Sequence, residues 1–352
     1  MDYKKEIEDL VNLILKEGAS DLHLSAGRVP FIRASGVLIP LLKKPILTDG
    51  DMKGFLGVFL SPENKELLAT AKNVDFSYSL THARFRGNAY FHQGVNSVAL
   101  RLIPKVIRTL TELNLPPILE TFTRKTQGFF LAVGPIGQGK TTTLATMVEL
   151  INQTRSEHIM TIEDPIEYLF ESKKSIIDQR EVRIDTPDFS DALVAMFRED
   201  IDVCMVGEMR DVNTIGTAVT AAETGHLILS TLHTNNAAQT VDRIIDSFPA
   251  TQQDQIRVQL AGSLTGIFSE RLLPRISGGL IPAYELLINN NAVANLIRER
   301  RTHELNTVIE TSSQEGMIDL NRSLAELVRS GEITVESAYL NSLNPKTLER
   351  MI

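Results

Sequence analysis

The sequence predicts an α/β protein whose largest part is a mainly parallel sheet wrapped by helices. Two observations carry that reading. Four short apolar runs, GFFLAVG, HIMTIED, DVCMVGE and HLILSTLH, alternate with stretches of helical periodicity such as FSDALVAMFRED and TIGTAVTAAETG, and buried strands alternating with helices build a sheet covered on both faces. The 352 residues also exceed one comfortable core. A smaller α+β domain ahead of the sheet and a helical subdomain behind it complete the predicted architecture.

Taken from the start, Ile7, Leu10, Val11, Ile14 and Leu15 fall at helical spacing and the pattern stops at Gly18. SDLHLSAGRVPFIRASGVLIPL, VDFSYSL, ARFRGNAYFHQ and SVALRLIP then alternate in short segments broken by turn residues, so residues 1–103 read as the small α+β domain. In ARFRGNAYF, period two sets Ala83, Phe85, Gly87 and Ala89 on one face and Arg84, Arg86, Asn88 and Tyr90 on the other. Those arginines form either a solvated outer face or a pair offered to a phosphate. IPKVIRTLTELNLPP carries a proline near each end and reads as a connector, placing a linker at 104–117, the sheet domain at 118–288 and the helical subdomain, with AVANLIRER and IDLNRSLAELVRSGEIT, at 289–352.

Composition narrows the function classes. Hydrophobic residues make up 43% and charged residues 23%, with no low-complexity tract, as in soluble globular proteins. With 36 basic against 44 acidic residues the net charge is -8, which offers no global attraction to nucleic acid or to an acidic membrane. No nucleic-acid partner is expected. The single cysteine, Cys204, lies in an apolar run, so no internal disulfide or cysteine-rich zinc site can form, which suits a reducing cytoplasm. The N-terminal segment is interrupted by acids and lacks a cleavage site. Its apolar runs, like those elsewhere, fall far short of the roughly 20 residues that span a bilayer, so neither a signal peptide nor a transmembrane segment is expected.

The chemistry concentrates in four segments. GPIGQGKTTT satisfies G-x-x-x-x-G-K-[ST] through Gly134, Gly139, Lys140 and Thr141, preceded by a strand pattern and followed by a helical one. In such a loop the backbone N–H groups of Gly134, Pro135, Ile136, Gly137, Gln138 and Gly139, proline excepted, and the helix start at Lys140, Thr141 and Thr142 cradle phosphates. Lys140 adds positive charge and the Thr141 hydroxyl can ligate Mg²⁺. Ile136 and Gln138 fill positions the motif leaves open. DVCMVGEMRD delivers Glu208 to the carboxyl end of a strand, the edge where α/β sheets bind ligands, and there it can hold the metal's water shell. TIEDPIEY sets Glu163, Asp164 and Glu167 at another strand end, where a carboxylate can orient or deprotonate water. His226 and His233 bracket HLILSTLH about 23 Å apart if extended, too far to share a zinc ion.

In this order and spacing, GPIGQGKTTT, TIEDPIEY, VGEMRD and TAAETGHLILSTLHT resemble the Walker A, Asp box, Walker B and His box of the secretion ATPases of type II and type IV pilus systems. GASDLHLSAG and REDIDVCMVGEMRD extend the resemblance over nearly the whole chain. It implies a RecA-like P-loop ATPase core, a PAS-like N-terminal domain, ATP and Mg²⁺ as cofactors, and a homohexamer acting on an inner-membrane pilus platform protein from the cytoplasmic side. It also implies that Lys140 and Thr141 bind phosphate and metal, that Glu208 supports the metal, and that an Asp-box glutamate positions water, Glu167 ahead of Glu163. His226 and His233 would sit at the active-site edge, and Arg84, Arg86 and Arg101 would serve as arginine fingers. Three features point to the retraction branch of the family: the short N-terminal domain, the absence of a four-cysteine zinc element, and AVANLIRE, which is similar to the AIRNLIRE of retraction ATPases. Pilus extension or type II secretion is the alternative, and a non-hydrolysing nucleotide-gated accessory a more distant one.

Overall fold

A computed structural model describes residues 2–34, 36–81, 83–103 and 106–352. The chain divides into two compact units, Met1–Val106 with Pro165–Leu169, and Ile107–Asp164 with Phe170–Ile352.

In the first unit the expected amphipathic helix spans Tyr3–Lys16, capped by Asp2, whose carboxylate accepts from the Lys5 amide at 3.3 Å. It buries Ile7, Leu10, Val11 and Ile14, while Leu15 stays outside. Six strands follow: β1 (Ala19–Ser25), β2 (Phe31–Ala34), β3 (Val37–Pro40), β4 (Asn73–Leu80), β5 (Ala83–His92) and β6 (Val95–Ile103). They form one antiparallel sheet in the order β3-β2-β1-β6-β5-β4, with helices Asp49–Phe59 and Pro62–Ala71 inserted after β3. The alternation read in β5 is present: Ala83, Phe85, Gly87 and Ala89 are buried and Arg86 is exposed. Gly87 is required there, because a Cβ would stand 2.3 Å from the Phe76 ring.

The second unit holds β7 (Gly128–Val133), β8 (His158–Glu163), β9 (Ile176–Glu181), β10 (Val203–Val206), β11 (Leu227–Leu232), β12 (Leu264–Pro274) and β13 (Leu280–Ile288), ordered β13-β12-β7-β11-β10-β8-β9. All neighbours are parallel except β12 and β13. β7, β10 and β11 are buried along their whole length, which is why they read as unbroken apolar runs. Side chains such as Leu131 and Ile228 face helices Val212–Glu223 and Ala237–Asp246, while Phe130 and Leu229 face helix Lys140–Thr154.

Three strands, β9, β12 and β13, carry no sequence signal of that kind. β9 alternates exposed and half-buried positions from Ile176 to Gln179 at the sheet edge before reaching buried Glu181, and β12 is interrupted by Ser269, Glu270 and Arg271, all buried despite their polarity. Of the segment read as a connector, Pro104 and Lys105 lie outside the described residues. From Ile107 onward, Pro165–Leu169 excepted, the chain belongs to the second unit, where Leu115 is buried and the Arg108 carbonyl accepts from Thr146 Oγ1 at 2.9 Å. The helices after Asn289 also join this unit, with Leu320, Leu324 and Ile333 packing on Leu273 and Ile281 of the β12–β13 hairpin.

Candidate active site

The phosphate-binding loop leaves β7 in the middle of the parallel sheet and enters helix Lys140–Thr154. Its bends fall on glycines at positive φ: Gly134 at 144°, Gly137 at 77° and Gly139 at 100°, a region that side-chain-bearing residues avoid. At Gly137, apart from the adjoining residues, no atom of the described residues comes within 4 Å of where a Cβ would stand, so this side of the backbone is open. Ile136 projects into solvent with 82% of its surface exposed, in line with a tolerant position. Gln138 does more than fill a gap. Its side-chain oxygen accepts from the Leu272 amide of β12 at 2.7 Å.

Lys140 is buried, and its Nζ donates to the carbonyls of Gly134 at 2.9 Å and Pro135 at 2.8 Å. It also lies 3.3 Å from His233 Nδ1. Because an ammonium can only donate, Nδ1 accepts and the neutral ring carries its proton on Nε2. That nitrogen faces Glu208, with Oε2 at 3.6 Å. Desolvation, reinforced by Lys140, pushes the imidazole pKa of His233 down, so the ring is neutral around pH 7. Glu208 in turn pairs through Oε1 with Arg210. Lys140, His233, Glu208 and Arg210 thus form one polar chain along the carboxyl ends of β7, β11 and β10. The Thr141 hydroxyl and Glu208 carboxylate are hard oxygen donors of the kind Mg²⁺ takes, so the residues present fit that ion.

Glu163 ends β8 beside this chain. Gly207, which precedes Glu208, has its Cβ position 3.5 Å from Glu163 Cα, and its amide donates to Ile162 O at 2.8 Å. The Glu163 carboxylate is buried and accepts from Thr161 Oγ1 at 2.7 Å and Gln179 Nε2 at 3.2 Å. Asp164 pairs with Arg183 at 2.8 Å. Glu167 is grouped elsewhere, since Pro165–Leu169 packs with the first unit, where Glu167 stands half-exposed 3.8 Å from Arg86.

Arg84, Arg86 and Arg101 of that unit share one sheet face. Arg86 on β5 is registered directly opposite Arg101 on β6, and Arg84 lies two positions along β5 with Nη1 3.4 Å from Ser79 Oγ. Arg101 Nε donates to Asp21 Oδ1 at 2.8 Å. Although burial acts to raise the Asp21 pKa, hydrogen bonds from Ser20 and Arg101 hold it below the usual range. Asp21, His23, Arg86, Arg101, Glu167 and Tyr168 line a pocket of about 370 Å³.

His226 lies at the opposite end of β11 from His233. Within the second unit His226 precedes β11 and His233 follows it. The His226 carbonyl accepts from the amide of Gly128, the first residue of β7, whereas the loop leaves β7 at its other end. Its ring is occupied by the Ala221 carbonyl at 3.1 Å and an edge contact with Phe197. A six-residue strand holds the two rings at opposite edges.

Over residues 70–279 the sequence matches the family described as type II/IV secretion system protein. This chain belongs to the type II/IV secretion ATPase family. It is a P-loop ATPase of that family. It is 40% identical over 334 residues to the type IV pilus retraction ATPase PilT of Pseudomonas aeruginosa, covering 95% of this chain and 97% of that one. To the twitching motility protein of Neisseria gonorrhoeae it is 42% identical over 321 residues, 91% of this chain and 86% of the relative. The solved structure of the pilus retraction motor PilT with bound ADP superposes with a TM-score of 0.91 at 44% identity, over 97% of this chain and 98% of that one. Among the described residues of this secretion ATPase, no helix is long and apolar enough to cross a membrane.

Two residues at this family site went unremarked in the sequence. Arg210 follows Glu208 within VGEMRD and could have been found as the cation beside a Walker B acid. Glu270 sits in SERLLP, and its signal is an acid inside a strand-like run, flanked by the PRISGGL turn that makes β12 and β13 a hairpin.

Proposed function

We propose that this ATPase hydrolyses ATP with Mg²⁺ as a homohexameric ring that powers retraction of a type IV pilus, working from the cytoplasm against an inner-membrane platform protein. The observation that carries the nucleotide reading is the polar chain from Lys140 through His233 to Glu208, set beside a glycine-shaped loop. Lys140 and the loop amides bind the phosphates, replacing the carbonyl contacts that Lys140 makes. Bound Mg²⁺ supplies a positive charge that offsets charge on the transferred phosphoryl group; Thr141 and Glu208 hold it. Neutral His233 keeps the Lys140 ammonium and Glu208 in register.

Of the two Asp-box glutamates, Glu167 is the better candidate to orient water, because Glu163 is enclosed by Thr161 and Gln179 while Glu167 is accessible beside Arg86. Arg84, Arg86 and Arg101 act on the phosphates of a nucleotide as fingers. The retraction task is supported by the PilT relatives and by AVANLIRE.

The decisive biochemical test is Lys140→Ala, which abolishes turnover while leaving the circular dichroism spectrum intact. Unchanged phosphate release from that variant would remove the site assignment. For the task, a deletion strain with surplus surface pili and no twitching supports retraction, whereas a strain without pili assigns the chain to extension.

A further inference from the structure

β12 touches the phosphate-binding loop at both ends of its curve. The Glu270 carbonyl lies 2.4 Å from where a Cβ on Gly134 would stand, so the loop's first turn rests directly on the β12 backbone. Its carboxyl group reaches under the other end. Oε2 accepts from Thr143 Oγ1 at 2.8 Å in the first turn of the helix, and both carboxyl oxygens lie 3.6 Å from the Cβ position of Gly139. Two residues on, the Leu272 amide holds Gln138.

Side chains alternate across a strand, and the intervening residues grip a second functional loop. Ser269 Oγ donates to the Asn235 carbonyl at 3.0 Å and Arg271 Nη2 approaches the same carbonyl at 3.4 Å, two residues after His233. One four-residue stretch of β12 therefore holds both the loop that carries Lys140 and the segment that carries His233. Glu270 is 1% exposed, and its Oε1 is buried with no hydrogen-bond partner among the described residues. An acid in so dry a place is a costly choice for packing alone.

We propose that Glu270 is a positioning residue of the ATPase, fixing the curvature of the phosphate-binding loop through Thr143 and so setting nucleotide affinity. This rests on reading the loop as the nucleotide site. Burial pushes the Glu270 carboxyl up to about 8, so at neutral pH it carries its proton and has the hydrogen-bonding shape of a glutamine amide.

The test uses the full chain and ADP titrated by calorimetry, with ATP turnover and melting temperature followed in parallel. Glu270→Ala and Thr143→Val each weaken ADP binding and raise the KM for ATP by about tenfold, the expected effect of losing one buried hydrogen bond to a loop that binds through geometry. Combining them adds little further loss, because they break the same contact. Glu270→Gln restores affinity to within about twofold, since its amide oxygen accepts from Thr143. A lowered melting temperature with unchanged ADP affinity and KM in Glu270→Ala and Thr143→Val reduces Glu270 to a core residue and overturns the proposal, as does a Glu270→Gln variant as weak as the alanine. If Glu270→Ala does not fold, Thr143→Val and Glu270→Gln decide alone. Failure of the wild-type chain to bind ADP would instead refute the nucleotide reading itself.

Discussion

Glu270→Gln also makes a prediction about stability that is independent of nucleotide. The Glu270 carboxyl is almost fully desolvated, and burial, opposed only in part by the Thr143 hydrogen bond and the Lys140 charge, raises its pKa from 4.5 to about 8. Below 4.5 the folded and unfolded chains both hold the proton and the group costs nothing. As pH rises past 4.5 the unfolded chain releases its proton while the folded chain keeps it, so stability falls by about 1.4 kcal/mol per pH unit until the folded carboxyl ionises near 8. Across that window the loss reaches a ceiling of roughly 5 kcal/mol. Glutamine has no proton to lose, so the variant escapes this decline. Its advantage over wild type grows between pH 5 and 8 and is constant above. Glu285, buried and raised to about 7, tilts both proteins equally and cancels in the difference. The chain has no tryptophan, so denaturant unfolding followed by far-ultraviolet circular dichroism at a series of pH values is the suitable assay. Parallel stability curves for the two proteins would show that Glu270 is ionised when folded, and the desolvation argument would fall.

Other substitutions probe the rest of the site. Gly134→Ala places a methyl group 2.4 Å from the Glu270 carbonyl at a φ of 144°; backbone strain of about 1–3 kcal/mol lowers the melting temperature by several degrees, and calorimetry finds ADP binding lost with it. Glu167→Gln lowers kcat by about 10²-fold or more with little change in ADP affinity, as removal of a water-orienting carboxylate does. Glu163→Gln costs less than tenfold in kcat, its Thr161 bond being retained by the amide oxygen; steady-state phosphate release ranks the two, and the reverse order would move the role to Glu163. Arg101→Ala leaves the buried Asp21 carboxylate with Ser20 as its remaining hydrogen-bond donor among its pKa-lowering partners, so the Asp21 pKa rises and an NMR titration of its carboxyl carbon detects the shift.

The parts legible in the sequence are those in which a local pattern has one structural solution. An unbroken apolar run such as GFFLAV, short and bounded by glycine, reads as a strand buried on both faces, and a glycine-bounded loop followed by Lys140 at a helix start bends in one way because its positive-φ positions exclude side chains. The alternation in ARFRGNAYF is equally direct, since a half-buried strand has period two, and it set Arg84 and Arg86 on one face. Glu208 could be placed at the ligand edge for the same reason: a strand end in a parallel sheet has a fixed polarity.

What only the tertiary structure decided depends on partners distant in sequence. β12 hides its strand character behind Ser269, Glu270 and Arg271, which are buried because Asn235 and Thr143, themselves 34 and 127 residues away, supply their hydrogen bonds. No window of sequence contains both halves of those contacts. The parting of Glu163 from Glu167, four positions apart yet packed in different units, follows from packing partners that neither segment contains. The sequence by itself determined that a phosphate-binding loop is present and where its chemistry lies. The fold decided which acids, histidine and supporting strand meet it, because register between strands is set by burial summed over the whole sheet and not by any one segment.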